Sequence, residues 1–376
     1  MKIGKLEFKG YAAKKPLMVS STGAFLTAAD VLSQPSLGRA STLALSPTSQ
    51  VDLAVARYAL EPDFNLGVIG KGLYSKDDII DHLKKQTDFG QEVLQAEMKY
   101  CTDLLFTLGP QGVTSEPKIP KEPVRKVPDW KPVKKCIWIK LKTRALFCEN
   151  TTDGVTAPFA QYRIANVHPV FKKRGFTVIA LTGVDDVRNN FVPHAKNTLT
   201  VYLSGIGHGN YTTYTGHGGN HILEVGQYDP AEVRGKAIHF LSCQTAGKLG
   251  PDTVAKGAKC YAGYTENFTF VWEDPKTPMQ DFLLFAKADS IYDIMMANGT
   301  TAQQAYNAAY QLFTAGANQV PNTAAATWLI YDRDHLKLHG NAATRILPYR
   351  YVKVCFPLVS AEQEDALVGA GELVEE

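Results

Sequence analysis

Two stretches of the chain carry residue types that could do catalytic chemistry. The segment GIGHGNYTTYTGHGGNH, residues 205–221, holds three histidines in a glycine-rich stretch. Cys243 ends a separate apolar run, AIHFLSC, and the small-residue turn QTAG follows it. A thiol beside an imidazole can become a nucleophile, since the imidazole lowers the thiol pKa. Nucleophilic catalysis, a metal site, or a core cysteine with a loop histidine all fit this pattern.

The elements that position these residues are predicted from hydrophobic patterning. Apolar strands that alternate with helices are typical of a largely parallel sheet covered on both faces. In such sheets reactive groups gather at the carboxyl edge of the strands. His208 and Cys243 each follow a predicted strand, so they meet if the two strands are neighbours. The predicted strands are RALFCE, TVIALTG, TLTVYLSGIG, AIHFLSC and KCYAGYT, with helices over 157–174, 184–195, 278–297 and 301–316 and one beginning at 250.

Composition and hydrophobic patterning divide the chain into four parts. Residues 1–110 are predicted to form an N-terminal pro- or docking domain, with one long helix beginning after Ser75. Residues 111–135 are rich in proline and lysine, a composition typical of an extended linker. Residues 136–350 carry the alternating strands and helices. Residues 351–376 are predicted to be a strand followed by an acidic tail.

Composition sets broad limits on function. The chain has 376 residues, a formal net charge of +3 and 45% hydrophobic residues. This charge does not argue for nucleic-acid binding, and no apolar run is long enough to predict a membrane span. The six cysteines are scattered without a CxxC pair, which favours free thiols in a reducing compartment. We therefore expect a cytoplasmic protein without a secretory signal.

The two motifs also resemble a known group of enzymes. The strand VYLSGIGHG, followed 35 residues later by the strand and turn IHFLSCQTA, resembles the caspase-like cysteine peptidases of clan CD, including gingipains, clostripain and CHAT-type proteases. The segment AKGAKCYAGYTENF is similar to the next strand in gingipain- and CHAT-like members. WLIYDRDHLKLHG resembles the strand and turn that end several such domains. The resemblance covers about residues 136–345 and implies an α/β/α sandwich with a mostly parallel central sheet, beside a smaller N-terminal domain of mixed or helical character.

The resemblance also implies roles for individual residues. Cys243 would attack the scissile carbonyl and form a thioester, and His208 would protonate the leaving amine. The N–H of Gly209, with that of Cys243, would stabilise the oxyanion. A dyad suffices in this group, so no third member is required.

Other histidines offer alternatives. His217 also precedes a glycine, and YTGHGG resembles the metacaspase-like YSGHGG, so His217 is the alternative catalytic histidine. The segment that precedes it is polar, which favours His208 and a hairpin or loop over 210–221. A zinc site formed by His208, His217 and His221 is another reading, although the HxxxH spacing is missing. His239 lies within a predicted strand and is expected to be structural.

Acidic residues offer further binding chemistry. Glu266, Glu273 and Asp274 follow the predicted fifth strand, where they could select a basic side chain at P1 or be solvated loop acids. With Asp153, Asp185 and Asp186 they could instead bind calcium, although no EF-hand loop is present. No other cofactor is expected.

Two function hypotheses follow. The first is a cysteine endopeptidase that acts on protein or peptide substrates and processes itself at the basic linker, at Arg125–Lys126 or Lys134–Lys135. The second is a catalytically silent caspase-fold scaffold that is recruited through residues 1–110, which would bind a protein partner. Neither hypothesis involves nucleic acid or a membrane.

Overall fold

The computed structural model of the chain describes residues 2–3, 6–33, 42–108, 134–272 and 280–357. The predicted linker and the acidic tail lie almost wholly outside these ranges. In the described residues up to 108, groups of short strands are followed by pairs of helices. They are β1 (Lys2–Ile3), β2 (Leu6–Glu7), β3 (Pro16–Val19), β4 (Phe25–Thr27), α1 (Ala28–Ser33), α2 (Pro47–Ala59), β5 (Asn65–Val68), β6 (Gly72–Ser75), α3 (Lys76–Lys85) and α4 (Asp88–Leu108).

The remaining elements follow the alternation predicted from the sequence. They are β7 (Lys134–Lys142), β8 (Arg144–Glu149), α5 (Ala157–Asn166), α6 (His168–Lys173), β9 (Thr177–Thr182), α7 (Arg188–Lys196), β10 (Thr200–Ile206), β11 (Thr213–Thr215), β12 (His221–Glu224), β13 (Ala237–Leu241), α8 (Leu249–Ala255), β14 (Cys260–Tyr264), β15 (Thr269–Trp272), α9 (Gln280–Ala297), α10 (Ala302–Gln319), α11 (Ala324–His335), β16 (Leu336–Gly340) and β17 (Tyr349–Pro357).

A six-stranded sheet lies at the centre of the fold. Its strand order is β9-β8-β10-β13-β14-β16. The first five strands are parallel, and β16 joins the edge antiparallel to β14. Helices α5, α6 and α9 cover one face, and α7 and α8 cover the other. The predicted sandwich with a mostly parallel central sheet is confirmed.

Burial on both faces explains why the strands read as continuous apolar runs. In β8, Ala145 and Phe147 belong to the core on the α5–α6 side, and Leu146 and Cys148 belong to the core on the α7 side. Successive side chains of a strand point to opposite faces. Each strand of this type therefore needs apolar residues at every position, which removes the alternation typical of half-exposed strands.

The long helix predicted after Ser75 is two helices. Ser75 caps α3, and its Oγ accepts the Asp78 N–H at 3.1 Å. The helix then ends at Gln86, which adopts a left-handed conformation. Gly90 lies inside α4. A Cβ there would sit 2.1 Å from the His82 carbonyl oxygen, so glycine permits the close approach of α3 and α4.

The N-terminal elements share a core with the C-terminal helices. Buried residues of α2 and α4 join the same apolar cluster as those of α9, α10 and α11. Arg57 is completely buried, and it contacts the Glu97 carboxylate and the Asn322 side chain, each at 2.6 Å. Strand β5 also pairs antiparallel with β15, with β6 on its far side. The N-terminal part is thus attached to the sandwich by buried contacts and by strand pairing.

The resemblance implied a strand and a turn in the segment WLIYDRDHLKLHG. The structure places the strand, β16, in the last five residues only, and WLIYDRDH lies in helix α11. Thr323 caps this helix, and its Oγ1 accepts the Ala326 N–H at 3.1 Å. A short apolar run does not distinguish a buried helix from a buried strand. No described helix is long and apolar enough to cross a bilayer.

A buried ionic cluster joins β10 and β13 to α9. The carboxylate of Asp293 accepts hydrogen bonds from Tyr202 and Ser204 on β10, both at 2.7 Å, and lies 3.1 Å from His239 on β13. The Arg163 guanidinium contacts the same carboxylate at 2.7 Å. Burial alone would raise the pKa of Asp293, but Arg163 and His239 hold it well below its ordinary value. Asp293 is therefore a buried anion that bridges the two strands.

His239 is the cationic partner in this cluster. Burial would lower its pKa, but the carboxylates of Asp293 and Asp289 outweigh burial and raise the pKa to about 9. The imidazole is thus charged at neutral pH and paired on both sides. The expectation of a structural histidine agrees with this placement.

Replacing Asp293 with asparagine should strongly destabilise the fold. The substitution leaves Arg163 and His239 buried with one carboxylate fewer, and unpairing a buried charge costs about 3–5 kcal/mol. Urea unfolding followed by circular dichroism measures the loss. The control is Asp81→Asn, which removes an exposed pair with Lys85 and should cost no more than about 1 kcal/mol. Equal losses in the two variants would contradict the bridging role of Asp293.

Candidate active site

The register of two neighbouring strands sets the positions of the candidate dyad. Strands β10 and β13 are parallel, and Ile206 lies opposite Leu241 at the carboxyl edge of the sheet. His208 and Cys243 each stand two residues beyond this pair. The two turns that carry them therefore leave the sheet side by side, which brings an imidazole and a thiol to one edge.

Glycines allow these two turns to approach each other. A Cβ built on Gly209 would lie 2.2 Å from Ser242 Oγ and 2.9 Å from the Cys243 carbonyl oxygen. A Cβ on Gly207 would lie 1.9 Å from the Thr215 carbonyl oxygen. Real side chains do not fit at such distances, so only glycine lets the histidine turn lie against the cysteine turn. Gly209, the residue predicted to contribute to the oxyanion hole, thus packs directly on the backbone of Cys243.

The thiol of Cys243 is covered in this structure. The residue is 1% exposed, its Sγ donates to the Ile69 carbonyl oxygen at 2.6 Å, and it accepts the Phe268 N–H at 3.3 Å. Burial raises the pKa of Cys243 to about 12, against the opposing effect of the Phe268 N–H. The sulfur is therefore a neutral thiol at neutral pH, and its nearest polar contact is a carbonyl group of the N-terminal part.

An aspartate orients the imidazole of His208. The ring Nε2 lies 3.3 Å from Asp153 Oδ2, and the other oxygen of that carboxylate accepts the N–H groups of Val155 and Thr156. Burial would raise the pKa of Asp153, but the Val155 N–H and His208 outweigh it and lower the pKa. A proton held on Nε2 by this carboxylate leaves Nδ1 as the basic nitrogen. His208 is 28% exposed.

The second ring nitrogen of His208 faces the N-terminal part. Nδ1 is buried and has no hydrogen-bond partner among the described residues. The backbone of Gly70 lies close to it, since a Cβ built on Gly70 would be 3.7 Å from Nδ1. The Ile69 carbonyl oxygen thus contacts the Cys243 sulfur, and the next residue, Gly70, lies beside the His208 imidazole.

The other histidines of the loop have separate partners. His217 lies in a short 3-10 turn between β11 and β12, and its Nδ1 is 2.7 Å from Thr152 Oγ1. His221 pairs with Glu224 at 2.7 Å. These two histidines and His208 do not form a group of mutually close metal ligands. Within the described part of the chain, such a group occurs at His239, Asp289 and Asp293, where the Arg163 guanidinium already contacts both carboxylates.

The predicted substrate-binding acids are only partly described. Glu266 lines a cavity of about 510 Å³ together with Glu92 and Asp88, next to Lys71. Its backbone carbonyl accepts the Gln244 N–H at 3.0 Å, directly after Cys243. Glu273 and Asp274 lie outside the described residues. The predicted roles of these acids in substrate selection remain predictions.

The predicted calcium ligands do not converge among the described residues. Asp153 faces His208, Asp185 is exposed, and Asp186 is buried beside Cys148 and Glu149. Burial, with a contribution from the Glu149 charge, raises the pKa of Asp186 to about 7, although the Cys148 thiol acts in the opposite direction. Calcium binding by these acids remains a prediction.

Sequence reasoning missed two parts of this site. It named Asp153 only as a calcium candidate, whereas the structure places it against His208. A signal existed, since Asp153 follows β8, and β8 is the neighbour of β10 at the same carboxyl edge. The contact of Ile69 with Cys243 spans 174 residues of sequence, and no local pattern in the chain indicates it.

Comparison with known proteins adds a structural likeness. No protein-family model matches the chain, and no curated protein matches it in sequence. The complex of the pro- and mature domains of RgpB from Porphyromonas gingivalis is similar to 55% of this chain and 48% of that chain, at 8% identity and a TM-score of 0.36. The Arg-specific cysteine proteinase gingipain R has the same coverage, at 9% identity and a TM-score of 0.34. The match thus spans about half the length of either chain, and function has to be argued from the site geometry.

Replacing Asp186 with asparagine should stabilise the protein at alkaline pH. The pKa of Asp186 is higher in the fold than its ordinary value of 3.8, so its stabilising contribution is complete below about pH 4 and is lost as the pH rises through 7. Asparagine mimics the neutral acid. Thermal melts should show a gain at pH 8, on the order of a few kcal/mol at most, and no gain near pH 4.

The matched control is Asp185→Asn, because Asp185 is the exposed neighbour. This variant should show no comparable dependence on pH. A loss of stability in Asp186→Asn at pH 8 that appears only with calcium would show instead that Asp186 is a charged calcium ligand.

Proposed function

We propose that the chain is a cysteine endopeptidase with Cys243 as nucleophile and His208 as general acid and base. The main support for this proposal is that His208 and Cys243 each lie two residues beyond a pair of neighbouring parallel strands. Asp153 also lies beside the His208 imidazole. A nucleophile and a base at one sheet edge, with a carboxylate that orients the base, are the groups that covalent acyl transfer uses. The caspase-like resemblance of the two motifs points to the same chemistry.

The proposed reaction runs in two steps. The Cys243 sulfur attacks the carbonyl carbon of the scissile peptide, and its proton passes to His208. His208 then protonates the leaving amine as the C–N bond breaks, which leaves a thioester on Cys243. Water, deprotonated by His208, hydrolyses the thioester and releases the acid. The N–H groups of Gly209 and Cys243 would donate to the oxyanion in both steps, and Asp153 would hold the ring in one tautomer.

The enclosed thiol supports a second candidate, the catalytically silent scaffold. A neutral cysteine that is 1% exposed cannot attack a substrate in the described arrangement. If the protein is a scaffold, Cys243 is a core residue and the N-terminal part binds a partner. The peptidase requires that the cover over Cys243 can move, whereas the scaffold does not. Reactivity of Cys243 toward a substrate-like probe therefore separates the two functions.

A peptidyl acyloxymethyl ketone should label the protein at Cys243. Labelling over several hours at sub-denaturing urea lets the cover open, and mass spectrometry of the digest locates the adduct. Cys243→Ala should abolish labelling, and His208→Ala should lower the rate by about 10²–10⁴-fold, the usual contribution of a general acid or base. Asp153→Asn should lower the rate less, because it misorients the ring without removing it.

The matched control is His221→Ala, which removes an exposed histidine of the same loop. This variant should label within about twofold of the parent, as expected for a surface substitution. Labelling at another cysteine, or a stronger effect of His217→Ala than of His208→Ala, would contradict the assignment. Absence of any label at Cys243 would favour the scaffold.

Self-processing in the basic linker is a further part of the proposal. If the enzyme cuts itself near Arg125–Lys126 or Lys134–Lys135, the purified chain should yield a fragment whose new N-terminus lies at one of these sites. N-terminal sequencing identifies the cut. The fragment should disappear in Cys243→Ala and persist in His221→Ala. A fragment that persists in Cys243→Ala would arise from another protease and would remove self-processing from the proposal.

A further inference from the structure

The turn between β5 and β6 enters the candidate active site. Strand β5 runs antiparallel along β15, with Gly67 opposite Phe270 and Val68 opposite Thr269. The ladder continues one step further, since the Ile69 N–H donates to the Phe268 carbonyl oxygen at 3.1 Å. The chain then turns at Gly70, which has a φ of +88°. This arrangement brings the Ile69–Gly70 peptide group to the edge of the sheet where Cys243 lies.

Ile69 and Gly70 contact Cys243 and His208 in the order expected of a bound peptide substrate. The carbonyl group of Ile69 meets the thiol of Cys243 at 2.6 Å. The next residue, Gly70, lies beside Nδ1 of His208. A peptide to be cleaved places its carbonyl at the nucleophile and its leaving amine at the general acid. Residues 69 and 70 meet the two groups in this same order.

The peptide group is nevertheless not presented for cleavage. The Ile69 oxygen accepts a hydrogen bond from the Cys243 sulfur, so the atom nearest the nucleophile is the oxygen and not the carbon that it would attack. Ile69 is completely buried, and it excludes water from the sulfur. Burial in turn holds the pKa of Cys243 near 12, which keeps the thiol neutral. The segment thus occupies the site without supplying a reactive geometry.

We propose that residues 65–71 are a built-in pseudosubstrate, which pairs with β15 where a substrate strand would bind and keeps Cys243 closed until it is displaced. This inference rests on the proposed peptidase function. Extended peptides commonly bind enzymes and binding domains by adding a strand to an exposed sheet edge. Strand β5 already fills the edge of β15 that leads to Cys243, so a substrate and β5 exclude each other.

The contacts that hold the segment suggest how it can be released. Gly67 lies flat on the ring of Phe270, and a Cβ at this position would be 2.3–2.7 Å from three ring atoms. A larger residue at 67 therefore has to displace either the buried Phe270 ring or β5 itself, and both changes disturb the β5–β15 contact. At the turn, Lys71 pairs with Glu92 at 3.3 Å in a partly exposed position. Reversal of the Lys71 charge would replace this attraction by repulsion and loosen the turn without a steric clash.

The test is Gly67→Leu in the full-length chain. Alkylation of Cys243 by iodoacetamide should accelerate by about two to three orders of magnitude, because release removes the burial that raises the thiol pKa and each pKa unit changes the thiolate fraction tenfold. Lys71→Glu, which leaves the strand pairing intact, should give a smaller increase of several-fold. This milder variant keeps the test decisive if Gly67→Leu does not fold.

A matched control separates release of the segment from general loosening. Leu53 is completely buried in α2, which packs on α3, α4 and β3. Leu53→Ala therefore weakens the core of the N-terminal part without changing a residue of the β5–β15 ladder. It should alkylate at nearly the rate of the parent. In addition, a synthetic peptide with the sequence NLGVIGK, residues 65–71, should slow alkylation of Gly67→Leu, and a scrambled peptide should not.

The outcomes distinguish this inference from the proposed function. Faster alkylation of Gly67→Leu together with faster hydrolysis of a peptide substrate supports both. Faster alkylation without any hydrolysis supports the closure by residues 65–71 and contradicts the peptidase. Equal alkylation and hydrolysis rates in the parent and both variants contradict the pseudosubstrate and leave the peptidase in place. A rise of equal size in Leu53→Ala also overturns the pseudosubstrate.

Discussion

The buried carboxylate of Asp293 is the constraint on which the site depends. It reaches from α9 to Ser204 on β10 and His239 on β13, two residues that lie directly opposite each other in the parallel pair. His208 and Cys243 stand four residues beyond them. A slip of one strand would separate the imidazole from the thiol and would also break both contacts with Asp293. The ionic cluster thus fixes the register that brings the two candidate catalytic groups together.

A second constraint acts against catalysis in the described arrangement. Strand pairing between β5 and β15 continues into the active-site edge, and it seats the Ile69 carbonyl on the Cys243 sulfur. A buried thiol with a raised pKa is a poor nucleophile. In the proposed function, the edge of β15 that this ladder fills would bind an extended peptide. Closure and substrate binding would therefore be alternative uses of β15, with the N-terminal part as the resident occupant.

The sequence was sufficient for the parts of the structure that depend on local pattern. The runs that end before His208 and Cys243 are largely apolar and lack the alternation of half-exposed strands, because both faces of the sheet are covered, and this property predicts parallel strands. Ser75 marks a helix start through its side-chain chemistry. The segment WLIYDRDHLKLHG was harder to divide, since WLIY is a short apolar run that fits a helix or a strand. In the structure Trp328, Leu329 and Asp332 are buried on one side of α11, and the strand begins only at Leu336.

The remaining features depend on long-range contacts. Asp153 could be placed at the carboxyl edge from its position after β8, but its pairing with His208 follows from strand order, which a single sequence does not encode locally. Neither the contact of Ile69 with Cys243 nor the cluster of Arg163, His239 and Asp293 leaves a periodic signal. In each case, residues that are distant in sequence meet only once the sheet has formed.

The most direct measurement is a crystal structure of the protein after reaction with a peptidyl acyloxymethyl ketone. The account predicts a thioether on Cys243, the His208 ring beside it and held by Asp153, and the peptide part paired with β15 in the place that β5 now occupies. An unmodified Cys243 with β5 still seated against β15, after prolonged exposure to the reagent, would contradict the account.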